Sequence, residues 1–248
     1  MTLPKHKWKG PLYSLLVVIV SWEIFAFIIN RPIVPYPHIV FINMVKIFGS
    51  QLEIHLLCSL GRITAGIAVS ILIGVPLGYL MGYYPKLDKA LSPLVYFTYP
   101  IPKLALLPVV MLLFGIGEIS KLIMIIMIIV FQIIITARDA VKDIPEETFH
   151  SIRSLGASRT QKLTEILIPA SLPELLTSTR IALGTAVSIL FFTETFGTEY
   201  GMGYFIMDAW MRVNYLEMYS GIVTLSLMGF LIFAFIDFLE NVICRWRT

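Results

Sequence analysis

The chain has 248 residues, 57% of them hydrophobic and only 14% charged, with a formal net charge of +3 and a mean hydropathy of +0.83. A water-soluble domain of this length needs far more charge to cover its surface, so a lipid environment is implied and a soluble globule excluded. The two cysteines, Cys58 and Cys244, lie in or beside apolar runs and have neither metal-site nor disulfide spacing.

At the start of the chain Lys5, Lys7 and Lys9 precede an apolar stretch from Leu12 to Ile29. That stretch is too long for the core of a signal peptide, and no small-residue cleavage site precedes Asn30, Arg31 and Pro32, so an uncleaved first span is expected. A span takes about 20 mainly apolar residues to cross a hydrocarbon core of about 30 Å. Six segments qualify: roughly 11–30, 55–81, 91–115, 120–137, 172–196 and 217–243. Residues 38–48 alternate at helical spacing and are expected to lie flat on the outer interface. In the second span Gly66, Ser70, Gly74, Gly78 and Gly82 recur at every fourth residue, which predicts a closely crossed helix. A packing partner in the same chain is the simplest reading, with a subunit contact or a hinge as the others. Pro76, within the stripe, is expected to kink it. Pro93, Pro100, Pro102 and Pro108 interrupt the third span, which should therefore face protein rather than lipid.

The longest polar loop, residues 137–171, reads as a helical hairpin. Asp143 and Glu146 have capping-box spacing, and Pro145 suits a first helical turn. Gly156 fits a left-handed stop, Ser158 and Gln161 form a second capping pair, and Pro169 should end the second helix. Ser171 with Glu174 then opens the fifth span. Residues 197–216 carry Tyr200, Tyr204, Trp210 and Tyr215, an aromatic belt for headgroup depth. With the N-terminus inside, 13 Lys and Arg fall on the cytoplasmic side and four outside, while Arg62 and Lys103 sit within spans. Both termini are thus expected in the cytoplasm, in one membrane domain covering 1–248.

The run Gly156-Ala157-Ser158-Arg159, followed by Ile166-Leu167-Ile168-Pro169 and Leu172-Pro173, resembles the signature loop of ABC importer permeases. That loop is written Glu-Ala-Ala, three residues, Gly, nine residues, Ile-x-Leu-Pro. Gly156, Ile166 and Pro169 match; Ile168 replaces the leucine, and His150-Ser151-Ile152 stand in place of Glu-Ala-Ala. Tyr99-Pro100-Ile101-Pro102, Phe114-Gly115-Ile116-Gly117-Glu118 and Gly201-Met202-Gly203-Tyr204 resemble the nitrate/sulfonate/taurine-type branch. The likeness covers nearly all of 50–245.

The resemblance implies an all-α, type I importer permease fold with about six transmembrane helices in a prokaryotic cell membrane. It implies a homodimer of permeases, two copies of a cytoplasmic ATPase that use ATP and Mg, and an extracytoplasmic binding protein, with a small anion as cargo. ATPase coupling would fall on Phe149, His150, Ser151, Ile152, Leu155, Gly156, Ala157, Ser158, Ile166 and Pro169. Docking by shape and apolar contact, from Phe149, Ile152 and Leu155, is expected in place of the missing glutamate. The chain has no Gly-rich phosphate loop, so no cofactor is expected on it, nor any nucleic acid partner.

Ionisable residues inside a membrane are costly and point to function. Glu194, with Thr193, suggests an outer gate or subunit contact; Arg62 and Lys103 would draw an anion into the pathway, and Gln132 would hydrogen-bond there. For each of these three a structural partner is the competing reading. A stand-alone secondary transporter or channel is the alternative function, disfavoured by the lack of an internal repeat and of charged rings in the spans. A membrane enzyme is disfavoured by four scattered histidines and no paired carboxylates.

Overall fold

A computed structural model describes residues 9–154 and 156–247, and all regular structure among them is helical. In chain order, α1 is Lys9–Ile29, α2 Pro37–Ile47, α3 Glu53–Tyr83, α4 Pro85–Thr98, α5 Leu107–Phe114 and α6 Glu118–Lys142. There follow α7 Glu146–Ser154, α8 Arg159–Lys162, α9 Ile168–Glu194, α10 Met202–Met211 and α11 Tyr215–Ile243. Each of the six expected spans is helical. Four continuous helices are long and apolar enough to cross a membrane: Pro37–Tyr83, Glu118–Lys142, Thr160–Glu194 and Tyr215–Ile243. The third expected span is a broken pair, α4 and α5, bent by 80°, and Tyr13–Ile29 is a shorter apolar helix.

The small-residue stripe sets the centre of the bundle. A Cβ on Gly66 would fall 2.4 Å from Ile125 Cγ2, on Gly74 2.8 Å from Ile133 Cγ2, on Gly78 2.5 Å from Ala137 Cβ and on Gly82 2.6 Å from Val141 Cβ. Bare backbone lets α3 and α6 approach this closely, and in lipid such contact supplies the packing. The partner is thus within the chain. Both series rise in step, so α3 and α6 run parallel. Two parallel spans need a return crossing between them, and α4–α5 occupies that stretch of chain. Its bend falls at Pro100 and Pro102, where backbone N–H donors are missing.

Helix α9 runs antiparallel to both α3 and α11. Tyr79 reaches Ser171 and Ser59 reaches Glu194 between α3 and α9, and Arg180 on α9 holds Asp237 and Glu240 on α11. One end of the bundle therefore gathers residues 84–90, the loop 143–167 and the described C-terminal residues. The far end gathers the starts of α6 and α11 and the end of α9.

Four local expectations are corrected. Residues 38–48 do not form a separate interfacial helix. The helix α2 continues through a π turn, Phe48–Leu52, into α3, because Val40 and Ile47 are buried and Asn43 donates to Ser220 on α11 at 3.0 Å. Pro169 does not stop a helix, and Ser171 does not open one. A π turn, Leu163–Leu167, widens the backbone just before Pro169, and Ile168 N–H bonds Leu163 O, five residues back. That relieves the clash between the proline ring and the preceding turn, and Ser171 instead turns inward to Leu167 O at 2.6 Å. Asp143 belongs to the end of α6: its dihedrals are helical and its N–H bonds Asp139 and Val141 carbonyls, so it is not the extended cap of α7. The α3 helix passes Pro76 unbroken.

Candidate functional site

Two regions at opposite ends of the bundle carry the expected functional residues. At the loop end, α7 stops at Gly156, whose φ is +76°. Ala157 N–H bonds Ile152 O at 3.2 Å across that turn, the closing bond of a Schellman motif. Ser158 and Gln161 then exchange bonds, Ser158 N–H to Gln161 Oε1 at 2.8 Å and Gln161 N–H to Ser158 Oγ at 3.2 Å. This is the capping box the spacing predicted, and it starts α8. A Cβ on Gly156 would meet nothing within 4 Å, so only backbone conformation demands glycine. Gly156→Val is expected to cost about 1–2 kcal/mol locally. Limited proteolysis within 143–168 should quicken while the melting temperature of the bundle holds.

The apolar side of α7 faces its own protein. Phe149 and Ile152 are half-buried against Val141, Ile144, Ile166 and Leu167, and the Phe149 ring meets Tyr83 edge-on at 6.1 Å. The domain's own loop end thus covers part of these side chains and leaves the rest accessible. His150, Ser151, Gly156 and Ser158 are exposed, Ala157 and Pro169 half-exposed, and Ile166 buried. Leu155 lies outside the described residues.

From this loop a single helix, Thr160–Glu194, runs to the far end. At 1.5 Å per residue its 35 residues span about 50 Å. Its last residue is fully buried and anchors the second region. Ser59 Oγ lies 2.8 Å from both Glu194 oxygens; Arg62 Nη1 donates to Oε1 at 2.7 Å and Gly203 N–H to Oε2 at 2.9 Å. Glu194 thus does not reach out to water. A Cβ on Gly201, whose φ is +142°, would sit 2.5 Å from Glu194 Cδ, and one on Gly203 2.4 Å from Phe191 O. The Gly-Met-Gly run exists so that backbone can lie against this ion pair.

Arg62 is itself fully engaged. Its Nε and Nη2 grip Glu118 at 2.6 and 2.5 Å, and the remaining donors reach Tyr200 O at 2.7 Å and Thr198 Oγ1 at 3.4 Å. All five guanidinium hydrogens have acceptors, so no donor stands free for an anion. Nearby, Lys121 is 2% exposed and, among the described residues, donates to the carbonyls of Gly117 and Gly197, at 3.2 and 3.3 Å. Ser59, Glu118, Lys121 and the Tyr200 carbonyl were not anticipated as partners, although Glu118 lies in a motif already singled out.

The other expected pathway residues are not gathered here. Thr193 Oγ1 bonds Leu190 O within its own helix at 3.0 Å. Lys103, at the α4–α5 bend, donates to Tyr99 O at 3.0 Å and lies over the rings of Tyr99 and Phe131. Gln132 Nε2 is 3.5 Å from Ser178 O, between α6 and α9. Structural partners hold all three. Among the described residues no group of three His, Cys, Asp or Glu could hold a metal ion.

Residues 74–247 match the family model described as "Binding-protein-dependent transport system inner membrane component". The chain is 31% identical over 257 residues to the taurine transport system permease protein TauC of Escherichia coli, covering 97% of this chain and 94% of the relative. It is 31% identical to the formylaminopyrimidine transport permease protein ThiX of Halalkalibacterium halodurans, covering 96% and 95%. Among solved structures, an inward-facing MetNI methionine ABC transporter chain superposes with a TM-score of 0.65 at 23% identity, over 80% of this chain and 99% of that one.

Proposed function

The chain belongs to the binding-protein-dependent transport system inner membrane components, the permeases of ABC importers, and from that premise we propose that it forms the solute pathway and couples it to a separate cytoplasmic ATPase. The loop end is cytoplasmic in this reading, in accord with the excess of Lys and Arg there. Two ATPase copies use ATP and Mg, a second copy of this chain completes the pathway, and an extracytoplasmic protein delivers a small organic anion. Taurine and other sulfonates are the favoured cargo, given the names of the relatives.

The observation that carries this reading is the unbroken helix from Thr160 to Glu194. A docking element can drive a distant gate only if the link does not absorb the displacement. Here the capping box and Gly156 turn fix one end of the rod, and the buried Glu194–Arg62 pair fixes the other. Motion of α7, pressed by a closing ATPase, would be delivered to that pair. The His150 and Ser151 face is the contact in this reading, and Glu194 with Arg62 the outer gate.

Co-purification with the cognate ATPase, followed by ATP hydrolysis and solute uptake in liposomes, tests it. Deleting 143–168 should abolish ATPase binding; survival of binding would sink the coupling role. Ser151→Trp and His150→Trp should each weaken ATPase binding tenfold or more while leaving the melting temperature of the permease unchanged. Uptake driven by an ion gradient with no ATPase present would favour a stand-alone transporter instead.

A further inference from the structure

The Arg62 fork faces a cleft of about 910 Å³ at the far end of the bundle, whose charged lining is Arg62, Lys121, Glu118 and Glu199. The two carboxylates on Arg62 differ sharply in what holds them. Glu194 is 0% exposed and also takes bonds from Ser59 and the Gly203 backbone. Glu118 is 65% exposed, and its hydrogen bonds to a side chain are those from the 8%-exposed Arg62. Releasing Glu194 would leave a charge buried without its partner, which holds it on the guanidinium. Releasing Glu118 returns an already hydrated carboxylate to water, so of the two it is the one that can leave at the smaller cost.

The guanidinium, by contrast, cannot follow Glu118, because Glu194, Tyr200 O and the packing around α3 hold it in place. A fixed, buried, bidentate donor covered by a detachable carboxylate is a site that another oxyanion can enter by exchange. Charge then decides which oxyanion. With the buried Glu194 on the same guanidinium, two cations already face three carboxylates, and exchange adds a further anion while Glu118 stays on the rim of the cleft. A solute with its own ammonium group offsets the added charge by pairing with the freed Glu118.

We propose that Arg62 and Glu118 form a carboxylate-exchange site for a zwitterion, an oxyanion headgroup taking Glu118's place on the guanidinium and an ammonium received by Glu118. This rests on the reading of the chain as a solute-conducting permease and names the class of solute its outer end admits.

The test compares taurine with methanesulfonate, which keeps the sulfonate and lacks the ammonium. Binding of each solute and competition between the two are read by thermal shift on the purified permease alone, and uptake is measured in liposomes holding the permease–ATPase complex with the solute-delivering protein supplied. The wild-type chain should bind taurine at least tenfold more tightly. Glu118→Gln keeps the size of the side chain but removes both the competing anion and the ammonium partner. Methanesulfonate should then bind at least fivefold more tightly than to wild type, and the preference for taurine should fall below threefold. A purely structural Glu118 would leave that selectivity unmoved, so an unchanged ratio in Glu118→Gln overturns the proposal, as does equal binding of the two solutes by the wild-type chain. If the complex moves solute normally but the ratio does not shift, the exchange site is wrong and the permease reading stands. If ATPase binding survives loss of 143–168, the coupling role fails whatever the solutes do.

Discussion

Arg62→Met alone should destabilise the protein by about 3–5 kcal/mol, because it leaves the buried Glu194 carboxylate without its cation. Ser59 and Gly203 N–H still reach Glu194, but neither carries the charge that balances it. The paired variant Arg62→Met with Glu194→Gln should recover most of that loss. Glutamine still accepts from Gly203 N–H and Ser59, and it removes the stranded charge, which separates burial of a charge from loss of packing. Glu118 needs no compensation in either variant, since it is mostly hydrated once released. Thermal unfolding of the purified permease in detergent, with a double-mutant cycle, measures the coupling. If Arg62→Met melts at the wild-type temperature, or the paired variant is as damaged as the single one, the buried pair is not what holds the far end together.

What the sequence makes legible here is whatever is local or periodic. The six apolar segments, the Gly156 turn and the Ser158–Gln161 box all follow from composition, period or a spacing of three. The stripe from Gly66 to Gly82 announced a close crossing, though not that α6 is the partner or that the two run parallel. Two features lay beyond such reasoning. The passage through Pro169 depends on a π turn that no residue rule encodes; judged by α-helical geometry, a proline there reads as a stop. The Arg62 cluster joins residues 56 and 132 positions apart, and periodicity says nothing about which charges meet across a bundle. The inward turn of Phe149 and Ile152 likewise depends on contacts between elements, since the loop end offers Val141, Ile144, Ile166 and Leu167 as partial cover.

The α3–α6 crossing gives a graded prediction, because its glycines face different kinds of atom. A Cβ on Gly78 would meet Ala137 Cβ at 2.5 Å, Ile134 O at 2.6 Å and Arg138 N at 3.0 Å. Two of those are backbone, so no rotamer change relieves them and the helices must separate. Gly78→Ala should cost about 1–3 kcal/mol through overpacking, and Ala137→Gly should rescue little of it because Ile134 O remains. On Gly66 the crowding comes from the Ile125 side chain alone, with Cγ2 at 2.4 Å. Gly66→Ala should therefore be substantially rescued by Ile125→Ala, beyond what the cavity from losing Ile125 takes back. Gly184, on α9, has open space where its Cβ would lie; Gly184→Ala should be neutral or stabilise the helix by about 0.5–1 kcal/mol. Melting temperatures of the five variants give the order. Equal tolerance of alanine at positions 78 and 184 would mean that α3 and α6 do not approach backbone to backbone. The helix Thr160–Glu194 would then lose the rigid pair of helices against which the proposed coupling has it move.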